Sequence, residues 1–170
     1  MVRKKDALTP SVVASARRGE QIRKEEEMPT LTVKHEGGMS SSLNVRGHRI
    51  IADVPPEMGG DDRGPTPVDL LAGSLGTCIA FYIARWCKEA QIACDGLEVK
   101  VDYVHDRENH CIPVLGAEVS MPATFPDARK PALLKVAKQC TVHNTLCHTP
   151  QMEITISAHP KSAEREEADS

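Results

Sequence analysis

Aromatic residues are scarce in this sequence, and positive charge is not in excess. Phe, Tyr and Trp make up 3% of the 170 residues, and the formal net charge at pH 7 is −3. Nucleic-acid binding needs a basic surface and, for single strands, aromatic rings on which bases stack. The composition therefore argues against nucleic acid as a partner.

Signals for secretion and membrane insertion are also missing from the pattern. No apolar run has the flanks of a signal peptide, and none has the length and composition of a membrane span. We therefore expect a cytoplasmic protein without a membrane partner. Hydrophobic residues make up 40% of the chain, which at this length is enough for one domain with its own core.

No two of the six cysteines form a C-x-x-C pair. Thioredoxin-like redox motifs and zinc ribbons both use that spacing. Without a secretory signal, the cysteines indicate reduced thiols, metal ligands or redox chemistry, and not a disulfide framework. They are Cys78, Cys87, Cys94, Cys111, Cys140 and Cys147.

A long apolar helix that carries a thiol dominates the pattern. Thr66 can cap its first turn, Pro67 suits the first helical position, and Asp69 places negative charge where the helix dipole favours it. From Leu70 to Trp86 almost every residue is apolar or small, so the helix needs cover on all sides. We predict a core helix, too short to cross a membrane, that packs at a homodimer interface together with its Cys78.

Strand patterns flank the long helix on both sides. The order of elements predicts an α+β fold with mostly antiparallel pairing, in one domain over residues 29–159. In chain order we predict a charged extension (1–28), three short strands between Leu31 and Val54, a loop from Asp53 to Gly64, the long helix, a hairpin between Leu97 and Phe125, a second helix capped by Asp127 that ends at Cys140, a last strand over Met152–Ile156 and a charged tail (160–170).

The two core helices each deliver a cysteine, Cys78 and Cys140. If their Cα atoms approach to roughly 4.4–6.8 Å, the two thiols can form a disulfide that opens and closes as a redox couple. The alternative is that both are small buried hydrophobic residues, as free cysteines often are. Cys87 faces nearly the opposite side of the helix from Cys78, so we interpret it as structural; the same interpretation applies to Cys94 and Cys111.

A second cluster follows the second helix and has the residue types of a zinc site. Cys140, His143, Cys147 and His148 carry thiolate and imidazole donors. A structural zinc site needs four ligands that converge, and this segment is short for all four to point inward. Zinc binding is therefore the lesser alternative to a packed helix end.

Four segments together resemble the OsmC/Ohr family of osmotically inducible and organic hydroperoxide resistance proteins. They are Gly59–Gly60, Gly64–Leu71, Leu75–Cys78 and Cys140–Leu146. The resemblance covers about residues 31–156 and is closer to the less characterised OsmC-like branch. It implies an intertwined homodimer in which six-stranded β-sheets wrap around long central helices.

The resemblance also implies a thiol peroxidase of the oxidative stress response that needs no cofactor and no metal. Cys78 would attack the organic hydroperoxide and become a sulfenic acid, Cys140 would resolve it to a disulfide, and an external thiol would reset the pair. The alternative within the family is a non-catalytic protein that binds an apolar ligand or zinc.

One position departs from the pattern of the family's hydroperoxidases. Where they have a Glu that orients an arginine, this sequence has Val68, and the neighbouring Asp69 is the candidate substitute. Cys78 needs a cation nearby to ionise, because a free thiol has a pKa of about 8.5 and burial raises it. The candidate cations are Arg46, Arg49 and Arg63.

Overall fold

The first sheet is an antiparallel meander of three strands, as the turn signals predict. It contains β1 (Thr32–Gly37), β2 (Ser40–Val45) and β3 (His48–Ala52), in that spatial order. The computed structural model describes residues 29–158, so the predicted extension 1–28 and tail 160–170 lie outside the described residues. The two turns contain Gly38 and Gly47, whose φ angles of 54° and 81° favour glycine.

The buried carboxylate of Asp53 organises the loop that follows β3. It is 1% exposed and accepts backbone N–H groups of Val54 at 2.8 Å, Asp61 at 3.3 Å and Arg63 at 3.2 Å. Burial alone would raise the pKa of this carboxyl, but the three hydrogen bonds and the charge of Arg63 hold it below its ordinary value. Asp53 thus supplies hydrogen-bond acceptors for the backbone N–H groups of a loop that has almost no regular structure.

Two glycines of this loop lie against backbone carbonyls, where a side chain has no room. A Cβ on Gly60 would lie 1.9 Å from the oxygen of Val54, and one on Gly64 would lie 2.2 Å from the oxygen of Ile51. The loop is therefore seated directly on the end of β3.

The long helix α1 spans Pro67–Glu89 and begins as predicted. Thr66 accepts the N–H of Asp69, and the Asp69 carboxylate accepts the N–H of Thr66, which makes a capping box. At 23 residues the helix passes for a membrane span by length and composition alone, so the prediction that it is too short is wrong. Its packing against other elements, and not its length, identifies it as a core helix.

One face of α1 packs on a two-stranded antiparallel hairpin, β4 (Glu98–Asp106) and β5 (Cys111–Ser120). The helix lies close to the hairpin at Gly76, where a Cβ would lie 3.0 Å from the Val101 side chain. The hairpin was expected, and its turn lies at residues 107–110 between the two strands.

Two shorter helices complete the core beside α1, namely α2 (Lys130–Lys138) and α3 (Thr141–Cys147). The core cluster lies where α1, α2 and the segments that flank α2 meet. The meander β1–β3 contributes no residue to it within the part of the chain that the structure describes. Its members are Leu75, Ile79, Ile83, Cys87, Phe125, Leu133, Ala137 and Cys140.

The prediction that Asp127 caps the second helix is wrong. Asp127–Arg129 form a 3-10 turn, and α2 begins at Lys130 without a side-chain cap. The Asp127 carboxylate binds Lys130 Nζ at 2.7 Å instead, because the two residues are three positions apart on one face.

The predicted last strand over Met152–Ile156 is also wrong for this chain. Residues 150–158 form no helix or strand. Met152, Ile154 and Ile156 are 81%, 90% and 99% exposed. The alternating pattern is present, but a strand forms only when its backbone pairs with a neighbour, and none of the described residues pairs with this segment.

We predict that Gly64→Ala lowers the free energy of unfolding by about 3 kcal/mol, because the new Cβ collides with backbone that cannot move away cheaply. Urea denaturation measures the change. Gly116→Ala is the matched control, since a Cβ there meets nothing closer than 4.0 Å. Equal stability of the two variants would contradict this view of the loop.

Candidate thiol site

The structure brings the Cys78 and Cys140 thiols together between α1 and α3. Cys140 is the residue that precedes the first turn of α3 and is 0% exposed, whereas Cys78 is half-buried on α1. Cys78 packs against the core cluster that contains Cys140 and is close enough to raise the pKa of Cys140. Two cysteines 62 positions apart in the sequence are therefore arranged as a dithiol, and their catalytic role stays a prediction.

Cys140 is held as a neutral thiol. Burial raises its pKa, and the neighbouring Cys78 raises it further, whereas backbone N–H groups of His143 (3.3 Å from Sγ) and Val142 act in the opposite direction. The net shift is upward. Cys140 therefore keeps its proton more readily than an exposed thiol.

None of the three predicted arginines is hydrogen-bonded to Cys78 in the described part of the chain. Arg49 pairs with Glu36 at 3.2 Å, and Ser42 donates to the same carboxylate oxygen. These hydrogen bonds and the charge of Arg49 lower the pKa of Glu36. Arg63 contributes its backbone N–H to Asp53, and Arg46 lies in the turn before β3 with φ at 48°.

Asp69 does not orient an arginine, in contrast to the sequence-based expectation. Its carboxylate accepts the Thr66 hydroxyl at 2.7 Å, the Thr66 N–H at 3.0 Å and the Tyr103 hydroxyl at 2.6 Å. The hydrogen bonds from Thr66 and Tyr103 lower its pKa. Asp69 therefore ties the first turn of α1 to β4, and its acceptor positions are occupied by that task.

An apolar groove of about 480 Å³ runs beside the N-terminal half of α1. Leu71 lies on it, and because Leu71 and Cys78 are seven residues apart they share a face of α1, about 10 Å apart along the axis. The β4–β5 turn also contributes to the groove, which the sequence did not predict. The groove is lined by Val68, Leu71, His105, His110, Cys111, Ile112, Pro113, Leu115 and Leu146.

A hydroxyl pair joins the two helices that carry the thiols. Tyr82 Oη lies 2.8 Å from Thr141 Oγ1. Tyr82 is one turn after Cys78 on α1, and Thr141 directly follows Cys140. Sequence reasoning missed this contact, because the only signal is that Tyr82 lies four residues after Cys78 and so shares its face.

The predicted zinc alternative is not assembled. His143 Nε2 lies 3.6 Å from Cys147 Sγ, and His148 Nδ1 lies 3.0 Å from the Asn144 oxygen. Cys140 points instead to Cys78. Among residues 29–158, no three side chains of His, Cys, Asp or Glu converge as a ligand set.

Comparison with known proteins gives a family and a fold. The model of a family described as OsmC-like protein matches residues 59–155. No curated protein matches the sequence.

Three solved structures share the fold, which confirms the predicted α+β architecture. A protein from Psychrobacter arcticus 273-4, provisionally named as an osmotic stress induced and detoxification response protein, has a TM-score of 0.65 at 22% identity, covering 72% of this chain and 91% of its own. An OsmC-like protein from Mycoplasma pneumoniae has a TM-score of 0.59 at 16% identity, with coverage of 75% and 92%. An organic hydroperoxide resistance protein from Elizabethkingia anophelis has a TM-score of 0.50 at 20% identity, with coverage of 71% and 90%.

We predict that Tyr82→Phe exposes Cys140 more often without unfolding the protein. Loss of one neutral hydrogen bond weakens the docking of α3 by about 1 kcal/mol, so a maleimide should label Cys140 about fivefold faster through local opening. Mass spectrometry with peptide fragmentation separates Cys140 from Cys147.

The matched control is Tyr103→Phe, which removes a hydroxyl bonded to Asp69 at the other end of α1. This variant should leave the labelling rate of Cys140 unchanged. An equal acceleration in both variants would mean that Tyr82 does not hold α3 in particular.

Proposed function

Because this chain belongs to the OsmC-like protein family, we propose that it is a cysteine-based peroxidase that reduces organic hydroperoxides to alcohols. The observation that carries the proposal is the proximity of the Cys78 and Cys140 thiols, which pack in the same core cluster. A similarly folded protein bears the name organic hydroperoxide resistance protein. The expected location is the cytoplasm, where an external thiol can serve as reductant.

The different exposure of the two thiols supports the order of the reaction. Cys78 is half-buried and can meet a substrate, whereas Cys140 is 0% exposed. The Cys78 thiolate attacks one peroxide oxygen, the O–O bond breaks, and the alkoxide leaves and takes up a proton as the alcohol. Cys78 is then a sulfenic acid.

Resolution follows from the contact that already exists. The Cys140 sulfur attacks the Cys78 sulfenic acid, the S–O bond breaks, and water leaves as the Cys78–Cys140 disulfide forms. Two equivalents of external thiol then reduce the disulfide and are released as their own disulfide.

The apolar groove supports the proposal that the substrate is an organic hydroperoxide and not hydrogen peroxide. Leu71 and Leu146 lie on it and on the two helices that carry the thiols. Each CH₂ of a substrate buried there gains about 0.8 kcal/mol, a gain that hydrogen peroxide cannot obtain.

Exposed apolar residues support the proposal that the protein is a homodimer. Phe81 on α1 is 61% exposed, Val33 on β1 is 63% exposed, and the apolar segment Met152–Ile156 has no pairing strand in the described chain. Small residues of α1 also line a shallow groove of about 440 Å³, which a second helix can approach closely; they are Ala72, Gly73, Gly76, Thr77 and Ala80. A second copy of the chain would cover these surfaces.

A second candidate function is binding of an apolar ligand without catalysis. A cavity of about 520 Å³ lies among α1, β5 and α2, with Ile83, Phe125 and Leu133 in its wall. It shares no lining residue with the apolar groove beside the N-terminal half of α1. If this function holds, the protein survives hydroperoxide treatment with both thiols intact.

We predict that the protein sediments as a dimer of the 18.5 kDa chain at micromolar concentration. Gly73→Leu should shift it towards the monomer, because a Cβ on Gly73 meets nothing within 4 Å inside the chain and the new side chain would block only a partner. Lys135→Leu, on the exposed face of α2, is the control and should leave the dimer intact. A wild-type protein that sediments as a monomer would remove the proposed assembly.

We predict opposite outcomes for the two thiol variants with one equivalent of an organic hydroperoxide. Cys78→Ser should form no alcohol, since no accessible thiol of the pair remains. Cys140→Ser should release one equivalent of alcohol and stop as a sulfenic acid on Cys78. Dimedone traps the sulfenic acid, and mass spectrometry assigns it to a residue.

The matched control is Cys147→Ser, which removes an exposed thiol that does not line the groove and should turn over like the wild type. A dimedone adduct on Cys140 in the Cys78→Ser protein would reverse the two roles. Absence of adduct, disulfide and alcohol in every variant would favour the binding function.

A further inference from the structure

A second pair of thiols, Cys87 and Cys94, lies at the C-terminal end of α1, whereas Cys78 is in the middle of the helix. Cys87 is in the last turn and is 0% exposed, and Cys94 is half-buried in the segment that leads to β4. Cys94 packs against the core cluster that contains Cys87 and is close enough to raise its pKa. Cys87 is nine residues after Cys78, which places it about 13.5 Å further along the axis and on nearly the opposite face. The two thiol pairs are therefore separate.

The backbone reverses direction so that Cys94 returns to Cys87. Gln91 takes a left-handed conformation with φ at 56°, and the N–H of Ile92 donates to the Cys87 oxygen at 2.9 Å. A second turn follows, in which the N–H of Leu97 donates to the Cys94 oxygen at 2.9 Å. Ile92, Cys94 and Leu97 all pack on the core cluster that contains Cys87. The contact between the thiols is thus fixed by two turns and by apolar packing.

We propose that Cys87 and Cys94 form a second dithiol–disulfide couple, which exchanges with small-molecule disulfides. The Cys94 thiolate attacks one sulfur of the external disulfide, whose S–S bond breaks and releases one thiolate. Cys87 then loses its proton and attacks the Cys94 sulfur of the mixed disulfide, and the second thiolate leaves. One dithiol and one external disulfide become one protein disulfide and two external thiols.

The burial of the two thiols sets this order. Cys94 is the partner that an external disulfide can reach, whereas Cys87 is enclosed by the core. Burial, and secondly the neighbouring Cys94, raise the pKa of Cys87, so it stays protonated until the mixed disulfide lies beside it. The closed couple ties the last turn of α1 to the segment that leads into β4.

The test is equilibration of the full chain in mixtures of reduced and oxidised glutathione, followed by acid quenching, blocking of free thiols and digestion without reductant. Trypsin cleaves after Arg85 and Lys88, so Cys87 lies in peptide 86–88 and Cys94 in peptide 89–100. The disulfide joins these two peptides. The fraction of protein in which the two peptides are joined should rise from about a tenth to about nine tenths as the squared concentration of reduced glutathione, divided by the concentration of oxidised glutathione, falls roughly 100-fold. Dithiothreitol should separate the joined peptides again.

Two outcomes would overturn the proposal. In the first, the joined peptides are absent at every ratio of reduced to oxidised glutathione. In the second, glutathione forms an adduct on Cys94 but the Cys87–Cys94 disulfide never forms. Cys94→Ser should leave Cys87 reduced and free of adduct, while Cys111→Ser should behave as the wild type. The Cys78–Cys140 disulfide is scored on peptides 64–85 and 139–161, so failure of the peroxidase proposal is read separately.

Discussion

Burial of the apolar helix α1 is the constraint on which the rest of the structure depends. The hairpin covers one side of it, and α2 and α3 cover another. Both shorter helices approach because their own apolar side chains, such as Leu133 and Ala137 of α2, complete the same cluster. Cys78 and Cys140 meet only because α1 and α3 are packed in this way. The thiol contact is thus a consequence of how the helix is covered.

Elements whose signals are local could be predicted from the sequence. The capping box of α1 needs only Thr66 and Asp69, and the hairpin needs only the alternation that surrounds its polar turn. The elements that failed depend on partners further away. The segment Met152–Ile156 has a strand pattern, but no strand pairs with it among residues 29–158. Asp127 has the residue type of a cap, but its carboxylate binds Lys130 instead.

The sequence predicts the two cysteines of the candidate site but not the residues that surround them. The helices that carry Cys78 and Cys140 can be placed by pattern, and the family resemblance connects them. The Tyr82–Thr141 hydroxyl pair has no such signal, because 59 positions separate the two residues and only the packing of α1 on α3 joins them. Asp69 was predicted to replace the family's Glu and to orient an arginine. In the structure its carboxylate accepts hydrogen bonds from Thr66 and Tyr103 instead.

The structure divides the residues that carry the family resemblance into those that shape the chain and those that are free to react. Gly60 and Gly64 leave room for carbonyl oxygens, and Thr66 with Asp69 begins α1. These contacts occupy the groups involved, so the proposed chemistry is assigned to the cysteines. Cys78 lies in the middle of α1 and Cys87 in its last turn, on nearly the opposite face. If the two proposed disulfides form, each ties α1 to a different neighbour, α3 or the approach to β4, and the redox state of the thiols is then coupled to the packing of the central helix.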